Sequence, residues 1–395
     1  MVAIEGSSVG YVQITRKSIC RTPSGRKNFR YMTTPLIVAM LLAVASFAAA
    51  AAVLPEDRSD LMYHYYSGGG IEVDGPALLI RQGVGDSTSL AASYYADSIS
   101  GASIDVVTTA SPYKEKRDEY SLSADYIYRD NLLTMSYTSS KEPDYIADTY
   151  SFDVTHDIFA GLTALSLGYT VGHDVVLRNT DPTFRETLDR YQYRLGFSQI
   201  ITKNLIMDLR YEAMLDDGFL NNPYRAARIL GASVPEKYPS TRASHAVALQ
   251  LRQGLDLFKK QELRSAFKFD YRYFWDTWGI VADTIELGYQ QYFNKRILVD
   301  WHYRYYDQSK ATFYSDDFPD QFTYMARDKE LSSFTSNSLG TKITFRVVNR
   351  ESFKFSYSLA YDYLKFDYHD FTDVRSNQLY SFNAKTLQLF ASIWY

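Results

Sequence analysis

Polar and apolar side chains alternate along most of the chain, and this period-two pattern limits the fold more than any other feature of the sequence. Along 119–129, for example, Tyr120 and Leu122 alternate with Ser121 and Ser123. An extended strand points successive side chains to opposite faces, so each such segment has one apolar and one polar face. The same pattern recurs at 190–198, 205–212, 267–273, 299–305 and 353–363. The sequence therefore predicts an all-β fold.

The length of these segments distinguishes a membrane barrel from a soluble β-sandwich. Segments such as 119–129 and 353–363 match the roughly 9–11 residues that a tilted strand needs to cross a bilayer. Strands of soluble proteins usually have about 5–6 residues. The chain also contains 35 Tyr, 23 Phe and 4 Trp residues, which suit an outward aromatic girdle better than a crowded barrel interior. We predict a transmembrane antiparallel β-barrel.

The spacing of turn residues predicts the number of strands. Short turns fall near 85–86, 129–131, 157–161, 202–204, 257–261, 294–295 and 349–350. Longer loops fall near 68–76, 99–117, 140–146, 172–188, 215–241, 308–334 and 366–378, with a tighter one at 275–278. These connections predict about 16 strands, with 14 to 18 compatible with the pattern, and the first strand at about 60–67. Bacterial barrels have an even strand number, short periplasmic turns and longer external loops, which is the arrangement expected here.

The N-terminal region differs from the rest of the chain and predicts export. Residues 1–31 are basic, and an apolar stretch beginning at Pro35 leads into an alanine run that ends at Ala52. A basic segment, a short apolar segment and small residues together indicate a secretory signal peptide. We expect residues 1–51 to be a basic extension plus signal peptide, cleaved near 49–52, with Met32 as an alternative start. An N-terminal membrane anchor is the alternative.

Residues 52–395 are then a single outer-membrane barrel, and their composition excludes several function classes. They contain 36 basic and 45 acidic residues, a net charge of −9, which argues against a nucleic-acid binder. The only cysteine, Cys20, precedes the apolar stretch, so the mature chain has no thiolate for a disulfide, a metal site or nucleophilic catalysis. We expect no cofactor.

The C-terminal segment has the ending typical of outer-membrane barrels. Leu387, Leu389, Ala391 and Ile393 alternate up to the terminal Tyr395. Such endings are thought to be read by the barrel-assembly machinery, so we expect that machinery and outer-membrane lipid as partners. The expected location is the outer membrane of a Gram-negative bacterium.

Five strings in the sequence resemble a bacterial family, domain-of-unknown-function family 3570. They are Met62-Tyr-His-Tyr-Tyr-Ser-Gly-Gly-Gly70 with Asp74-Gly-Pro76, Ile104-Asp-Val-Val-Thr-Thr-Ala-Ser-Pro112, Phe219-Leu-Asn-Asn-Pro-Tyr-Arg225, Asp276-Thr-Trp-Gly-Ile280, and Ala326-Arg-Asp-Lys-Glu-Leu331. The resemblance covers about residues 60–347, and the last two strands match less clearly. It implies an exported, barrel-like protein and carries no activity or substrate.

Charged residues on the polar strand faces are the candidate pore lining. They are Arg190, Arg194, Asp208, Arg210, Glu212, Arg252, Arg264, Lys268, Asp270, Arg272, Asp300 and Arg304, with Lys342 and Arg346 further along the chain. In a water-filled pore such charges tune solute selectivity, and Arg264, Lys268 and Arg272 on one strand would favour anions locally. The alternative is a lumen closed by pairs between these charges.

The two longest loops, 215–241 and 308–334, are candidates for a constriction, because loops of this length are often functional. In the first, Asn221–Arg225 has the composition of a structured turn. In the second, Asp316, Asp317, Asp320, Asp328 and Glu330 offer oxygen ligands that could bind Ca²⁺. They lack the EF-hand spacing, so a solvated acidic loop is the competing interpretation.

Two further motifs bear on whether the chain could bind phosphate or act as a catalyst. Ser67–Gly70 is rich in glycine but lacks the ending of a phosphate loop, so it predicts a tight hairpin turn. Ser244 and His245 are the only adjacent Ser–His pair, but on a strand they would point to opposite faces. The sequence therefore shows no catalytic constellation.

Three function hypotheses follow, in order of preference. The first is a passive channel or transporter for small solutes, which predicts an open lumen and electrical conductance. The second is a structural or assembly barrel with a closed, salt-bridged lumen and periplasmic partners. The third is an enzyme acting on envelope lipids, for which Ser244 and His245 would be essential.

Overall fold

The computed structural model describes residues 53–101, 113–255, 264–350 and 352–395, and the predicted signal peptide at 1–51 lies outside them. Sixteen antiparallel strands close a barrel in chain order, and the first pairs with the last. The barrel strands are β1 (Arg58–Gly68), β2 (Ile71–Val84), β3 (Thr88–Gly101), β4 (Tyr113–Tyr128), β5 (Asn131–Lys141), β6 (Tyr145–Ile158), β7 (Thr163–Leu177), β8 (Arg185–Thr202), β9 (Leu205–Gly218), β12 (Thr241–Leu255), β13 (Ser265–Asp276), β14 (Val281–Tyr292), β15 (Ile297–Gln308), β16 (Phe334–Arg350), β17 (Phe353–Asp373) and β18 (Gln378–Trp394). The predicted all-β barrel of 16 strands is confirmed.

A small hairpin outside the barrel wall, β10 (Ala226–Ile229) and β11 (Ala232–Pro235), lies between β9 and β12. The only regular helix in the described ranges is a short 3-10 helix at Lys329–Leu331. No helix in this part of the chain is long and apolar enough to cross a membrane.

The two ends of the barrel differ. The short turns after β2, β4, β6, β8, β14 and β16 lie at one end together with the start of β1 and the end of β18, and we call this the turn end. The two long connections, 219–240 and 309–333, lie at the opposite end, the loop end. The predicted turn at 257–261 and much of the predicted loop at 99–117 fall outside the described residues.

Several connections at the loop end are shorter than predicted, because the strands continue beyond the membrane. The predicted loop at 68–76 is a two-residue turn followed directly by β2, and the predicted loop at 366–378 shrinks to the four residues between β17 and β18. Gly69 and Gly70 form the first turn with φ of 61° and 83°, the conformation that a two-residue hairpin requires, so the predicted tight turn is confirmed. Polar residues such as Glu72 and Asp74 made this strand extension look like a loop.

Large apolar side chains cover the outside of the barrel around its whole circumference. Leu122 is 61% exposed, Met135 59% and Leu389 50%, and Trp301 and Tyr357 also face outward. A soluble protein does not expose a continuous apolar surface of this extent. This exterior belt fits the hydrocarbon layer of a membrane.

A row of tyrosines at the loop-end edge of the belt donates hydrogen bonds to polar side chains on neighbouring strands. The hydroxyls of Tyr63, Tyr94, Tyr137 and Tyr271 lie 2.6–2.7 Å from carboxylate oxygens. The acceptors are Asp74, Asp118, Asp148 and Asp283. Rings in the apolar layer with hydroxyls aimed at charged groups are typical of a membrane–water interface. The row therefore marks the loop-side boundary of the membrane.

Candidate functional site: the lumen and its cap

The inner wall consists of the strand positions that alternate with the exterior belt. The predicted pore-lining residues on β8, β9, β12, β13 and β15 all occupy these inward positions, and Arg264 lies directly before β13. The structure thus places the whole predicted set around one lumen, on the face opposite the belt. Their effect on selectivity stays a prediction.

Three inner-wall pairs of polar or charged side chains each reach across an intervening strand that carries a glycine. His64 on β1 contacts Asp97 on β3 at 2.7 Å, and Gly75 on the strand between them is in register with His64. Arg194 on β8 contacts Asp153 on β6 at 2.8 Å. The strand between them carries Gly168, which pairs in register with both residues.

The third pair repeats this arrangement on the other side of the barrel. His302 on β15 and Asp362 on β17 lie 2.6 Å apart, and Gly340 on β16 is in register with both. A Cβ atom at Gly340 would overlap both partners. Glycine weakens a strand, and its presence inside one often marks the close approach of other groups, here the two side chains that meet above it.

Other inner-wall charges pair with neighbours along the wall. Lys268 contacts Asp270 at 2.5 Å and Glu286 at 2.8 Å, and Arg272 lies 3.5 Å from Glu212. Two of the three basic residues predicted to favour anions therefore have carboxylate partners. The predicted local anion preference stays a prediction. The carboxylates beside Lys268 and Arg272 offset part of the positive charge on which it was based.

All these wall pairs join residues on the same strand, on adjacent strands or on strands separated by one other. The same holds for Arg81 with Asp125 and for Arg190 with Asp174. A pair that closed the lumen would have to join opposite sides of the sixteen-stranded wall. These paired charges are therefore neutralised along the wall rather than across the lumen.

The inner wall formed by β4–β7 has a different composition, and we call it the hydroxyl sector. Serine and threonine are the commonest of its inward side chains, and they concentrate at mid-strand. They are Ser121, Ser123, Thr134, Ser136, Thr138, Ser140, Thr149, Ser151, Thr155, Ser166 and Thr170. All of them are partly exposed. Hydrogen bonds of 2.6 Å join Ser121 to Thr138 and Ser151 to Thr170.

Residues 219–240 and 309–333 fold together into one unit, which we call the cap. A parallel bridge joins Ile229 to Phe318, and an antiparallel bridge joins Lys237 to Met325. Ala227, Phe318 and Met325 form a small buried core between the two segments. The predicted structured turn at 221–225 is present in the first segment.

Buried charges lock the two segments of the cap to each other. Arg225 in the first segment pairs with Asp328 in the second and lies 3.5 Å from Glu330. Glu236 accepts a hydrogen bond of 2.6 Å from the backbone N–H of Arg327. Breaking a buried pair by removing one partner typically costs about 3–5 kcal/mol, so these contacts hold the cap as one body.

Tyr238 links this polar network to the aromatic core of the cap. Burial, and then the nearby Glu236 carboxylate, raise the pKa of Tyr238 well above its usual value. The phenol therefore stays protonated and donates to Glu236 at 2.8 Å. Its ring packs edge-on against Trp278.

The cap packs against the inner wall at the loop end through an apolar cluster. The wall and its turns contribute Leu188, Ala246, Phe274, Trp278, Ile280, Ala282, Tyr368 and Phe371, and the cap contributes Leu220, Ala311, Tyr314, Ala326 and Leu331. Arg327 adds a polar link, because it donates to the backbone oxygen of Thr372 at 2.6 Å. The cap therefore covers the inner wall of β8 and β12–β18 near the mouth.

Trp278 is the point where the wall meets both segments of the cap. It is fully buried, and its ring lies 4.4 Å from Phe313 and 5.4 Å from Tyr238. Asp276 fixes its backbone by accepting the N–H of Trp278 at 2.6 Å. Arg242 lies over the ring and pairs with Asp276 through a bond of 2.9 Å from Nε.

The candidate calcium ligands in the second segment are used as structural partners. Asp316 pairs with Arg327 at 2.7 Å, and Asp317 accepts the backbone N–H of Gly231 at 3.1 Å. Asp320 accepts the N–H of its own neighbour, Gln321. These three aspartates do not converge, and their binding of Ca²⁺ stays a prediction that the structure does not favour.

Three carboxylates do converge elsewhere at the loop end. Oxygens of Glu115, Glu142 and Asp144 lie within 4.8 Å of one another, the only such group among the described residues. Glu142 also lies 3.8 Å from Arg117. Burial first, and then Asp144 and Glu142, raise the pKa of Glu115 to about 7.

Glu115→Gln is expected to stabilise the protein in mild base and to have little effect in acid. A carboxyl whose pKa is raised in the folded state loses its contribution to stability as the pH rises through that value. We therefore expect a higher unfolding temperature than wild type near pH 8 and an unchanged one near pH 4.

Asp118→Asn is the control of opposite sign, because hydrogen bonds from Lys116 and Tyr94 lower the pKa of Asp118. This variant should lose stability near pH 8. Thermal unfolding of Glu115→Gln followed at both pH values checks the prediction, and equal shifts at the two values would contradict it.

The sequence-predicted Ser–His pair is split by the barrel wall. Ser244 is buried on the inner face of β12, whereas His245 lies on the outer face, stacked on Trp275 and hydrogen-bonded at 2.9 Å to Tyr211. The two side chains do not meet, so the pair has no geometry for nucleophilic catalysis.

The last strand closes the barrel against β1 and ends at the turn end. Leu387 and Leu389 face outward, and Tyr395 is 47% exposed at the terminus. The backbone N–H of Tyr395 donates to the backbone carbonyl oxygen of Asp57. Recognition of this strand by the assembly machinery stays a prediction, which deletion of Tyr395 would test through loss of barrel from the membrane.

The closed strand order, the apolar exterior, the interfacial tyrosines and the polar lumen define a transmembrane β-barrel of the outer-membrane type. The profile of the family Protein of unknown function (DUF3570) matches residues 104–365, and the chain belongs to that family. The resemblance found in the sequence is thus confirmed. The string at 62–70 precedes the matched range, and the match extends into β17, further than expected.

Solved structures that match this barrel are distant from it. CdiB from Acinetobacter baumannii matches with a TM-score of 0.48 and 9% identity, over 86% of this chain and 61% of that chain. A bacterial polysaccharide outer membrane secretin matches with a TM-score of 0.46 and 7% identity, over 87% and 100%. The outer membrane protein opdK from Pseudomonas aeruginosa matches with a TM-score of 0.43 and 9% identity, over 87% and 100%.

The chain spans 61% of the length of CdiB and 57% of the siderophore receptor PirA from Acinetobacter baumannii. No curated protein sequence matches the chain. These distant likenesses carry no argument about function, and the membrane class rests on the barrel's own surface.

Proposed function

We propose that this protein is a passive channel for small solutes in the outer membrane, narrowed at its loop end by the cap. The observation that carries the proposal is the lateral pairing of the wall charges. Arg194 with Asp153, Lys268 with Glu286 and His302 with Asp362 each lie along the wall. A polar wall that is neutralised in this way can stay hydrated without drawing its opposite sides together.

The channel is expected to have its narrowest part at the loop end. There the cap covers the inner wall of β8 and β12–β18, whereas the hydroxyl sector contributes no residue to the apolar cluster that holds the cap. Solutes would pass beside the cap into a wider polar lumen. By the rule for bacterial barrels, the loop end faces the outside and the turn end the periplasm.

The test is solute uptake by liposomes that contain the refolded mature protein. Small sugars and polyols should enter and make the liposomes swell, with rates that fall steeply as solute size increases. Heat-unfolded protein in the same lipid provides the baseline. A folded barrel that gives no swelling above this baseline, even with glycerol, would exclude the channel.

The second candidate is a closed structural barrel, and the interlocked cap is the observation that favours it. The buried pair of Arg225 with Asp328 resembles a permanent seal more than a transient contact. Under this alternative the wild-type protein would be impermeable, and loosening the cap would be needed before any solute passed.

A further inference from the structure

The hydroxyl sector contributes no residue to the apolar cluster that holds the cap, and this arrangement bears on which solutes pass. The following inference rests on the proposed channel function. It concerns the side of the lumen along which solutes move and the chemical class that the path favours.

The hydroxyl sector carries short polar side chains at mid-strand. Ser123, Ser136 and Ser151 lie in register across β4, β5 and β6, so three serines form a continuous row at mid-strand. Short side chains leave more free width beside the wall than the long ones of the opposite side. Each of the three is partly exposed, as expected of groups that face open space.

The two carboxylates next to the serine row, Asp125 and Asp153, do not give this level of the wall a net charge. Asp125 pairs with Arg81 on β2 and also accepts a bond of 2.7 Å from Thr134. Asp153 pairs with Arg194 on β8. A hydroxyl can both donate and accept a hydrogen bond, so this wall can replace the water around an uncharged polar solute.

The opposite side of the lumen is less suited to passage. Long charged side chains line β13 and β15 there, including Lys268, Arg272 and Arg304. Nearer the mouth, the cap packs on Phe274 and Ala282. The free width on that side is therefore reduced both by the long charged side chains of β13 and β15 and, nearer the mouth, by the cap.

We propose that solutes move along the hydroxyl sector, and that the path favours small uncharged hydroxylated molecules over ions of similar size. The row of Ser123, Ser136 and Ser151 forms the polar contact surface of this path at mid-depth. The solute class is that of small sugars and polyols, which exchange hydrogen bonds with hydroxyls and carry no charge to be desolvated.

The test compares two matched tryptophan substitutions on opposite sides of the lumen. Ser136 on β5 and Ser338 on β16 are both inward, partly exposed serines. Ser136→Trp should reduce swelling of liposomes in arabinose several-fold, whereas Ser338→Trp should change it little. Swelling of wild-type liposomes in arabinose should also exceed that in choline chloride or sodium lactate.

A second pair of variants keeps the proposal testable if the bulky ring prevents folding. Ser136→Asp should shift the reversal potential in a KCl gradient toward cations, and more than Ser338→Asp does. Equal effects at the two positions, or a larger effect at Ser338, would overturn the proposed path. Faster wild-type uptake of the ions than of arabinose would overturn the solute class. Wild-type liposomes that take up none of these solutes would instead remove the channel function itself.

Discussion

Replacing Trp278 by alanine is expected to release the cap and to raise the conductance of the barrel. The ring of Trp278 is fully buried and contacts Phe313 and Tyr238, which belong to different segments of the cap. Removing a buried tryptophan ring typically costs about 3–5 kcal/mol. The contacts that are lost are those between the cap and the wall. The cap should therefore detach while the strands stay paired.

Single-channel recording measures this effect, and the lipid-facing Trp301 provides the matched control. Trp301 is 39% exposed on the outside of β15, far from the cap contacts. Trp278→Ala should give larger and noisier current steps than wild type, and Trp301→Ala should leave the steps unchanged. Wild-type steps in a folded Trp278→Ala barrel would show that the cap does not narrow the path.

Under the closed-barrel alternative the same variant has a different outcome. Wild-type protein would then give no current, and Trp278→Ala would create one. The measurement therefore separates a cap that narrows an open channel from a cap that seals a closed one.

Replacing Gly168 by alanine is expected to destabilise the barrel markedly, although glycine is normally the weaker residue in a strand. A Cβ atom at this position would overlap Asp153 and lie 2.8 Å from Nε of Arg194. The ion pair above Gly168 would have to separate, and Asp153 would lose its basic partner. Overpacking of this kind costs about 1–3 kcal/mol, and the loss of a pair that is about a third exposed adds at most about 1 kcal/mol.

Gly172 on the same strand and the same face is the matched control. A Cβ atom there would meet its nearest neighbour, Oγ1 of Thr149, at 3.5 Å, an ordinary contact. Gly172→Ala should therefore be neutral or slightly stabilising. Urea unfolding of the refolded proteins measures both variants, and equal midpoints for Gly168→Ala and Gly172→Ala would contradict the account of the glycine positions.

The strand pattern could be predicted because it depends on local alternation alone. The segment 353–363 shows the alternation of β17, and turn residues such as those near 202–204 separate β8 from β9. The inward placement of Arg194 and Lys268 follows from the same alternation. Strand ends outside the membrane were harder to predict, since polar residues on both faces, as around Asp74, resemble a loop.

The partners of the wall charges could not be predicted, because they depend on the register between strands. Nothing in the sequence around Gly168 shows that it lies between Asp153 and Arg194, which are 41 positions apart. The same applies to Gly340 between His302 and Asp362. An alignment of related sequences could reveal these partners if the glycines and the charged pairs change together.

The folding of the two long loops into one cap could not be predicted from the sequence either. Their length indicated a constriction, but the acidic residues of the second loop suggested a metal site. Asp316 instead pairs with Arg327 of its own loop, and Asp328 pairs with Arg225 of the first loop because the two segments interlock. Such long-range pairing leaves no pattern within either loop.

The single measurement that tests the channel most directly is the conductance of the refolded mature protein in planar bilayers, recorded over a range of KCl concentrations. The account predicts discrete current steps that grow with KCl concentration. It also predicts only a weak preference between K⁺ and Cl⁻, because many of the wall charges are paired with charges of opposite sign. A correctly folded barrel that inserts into the bilayer and never conducts would contradict the account.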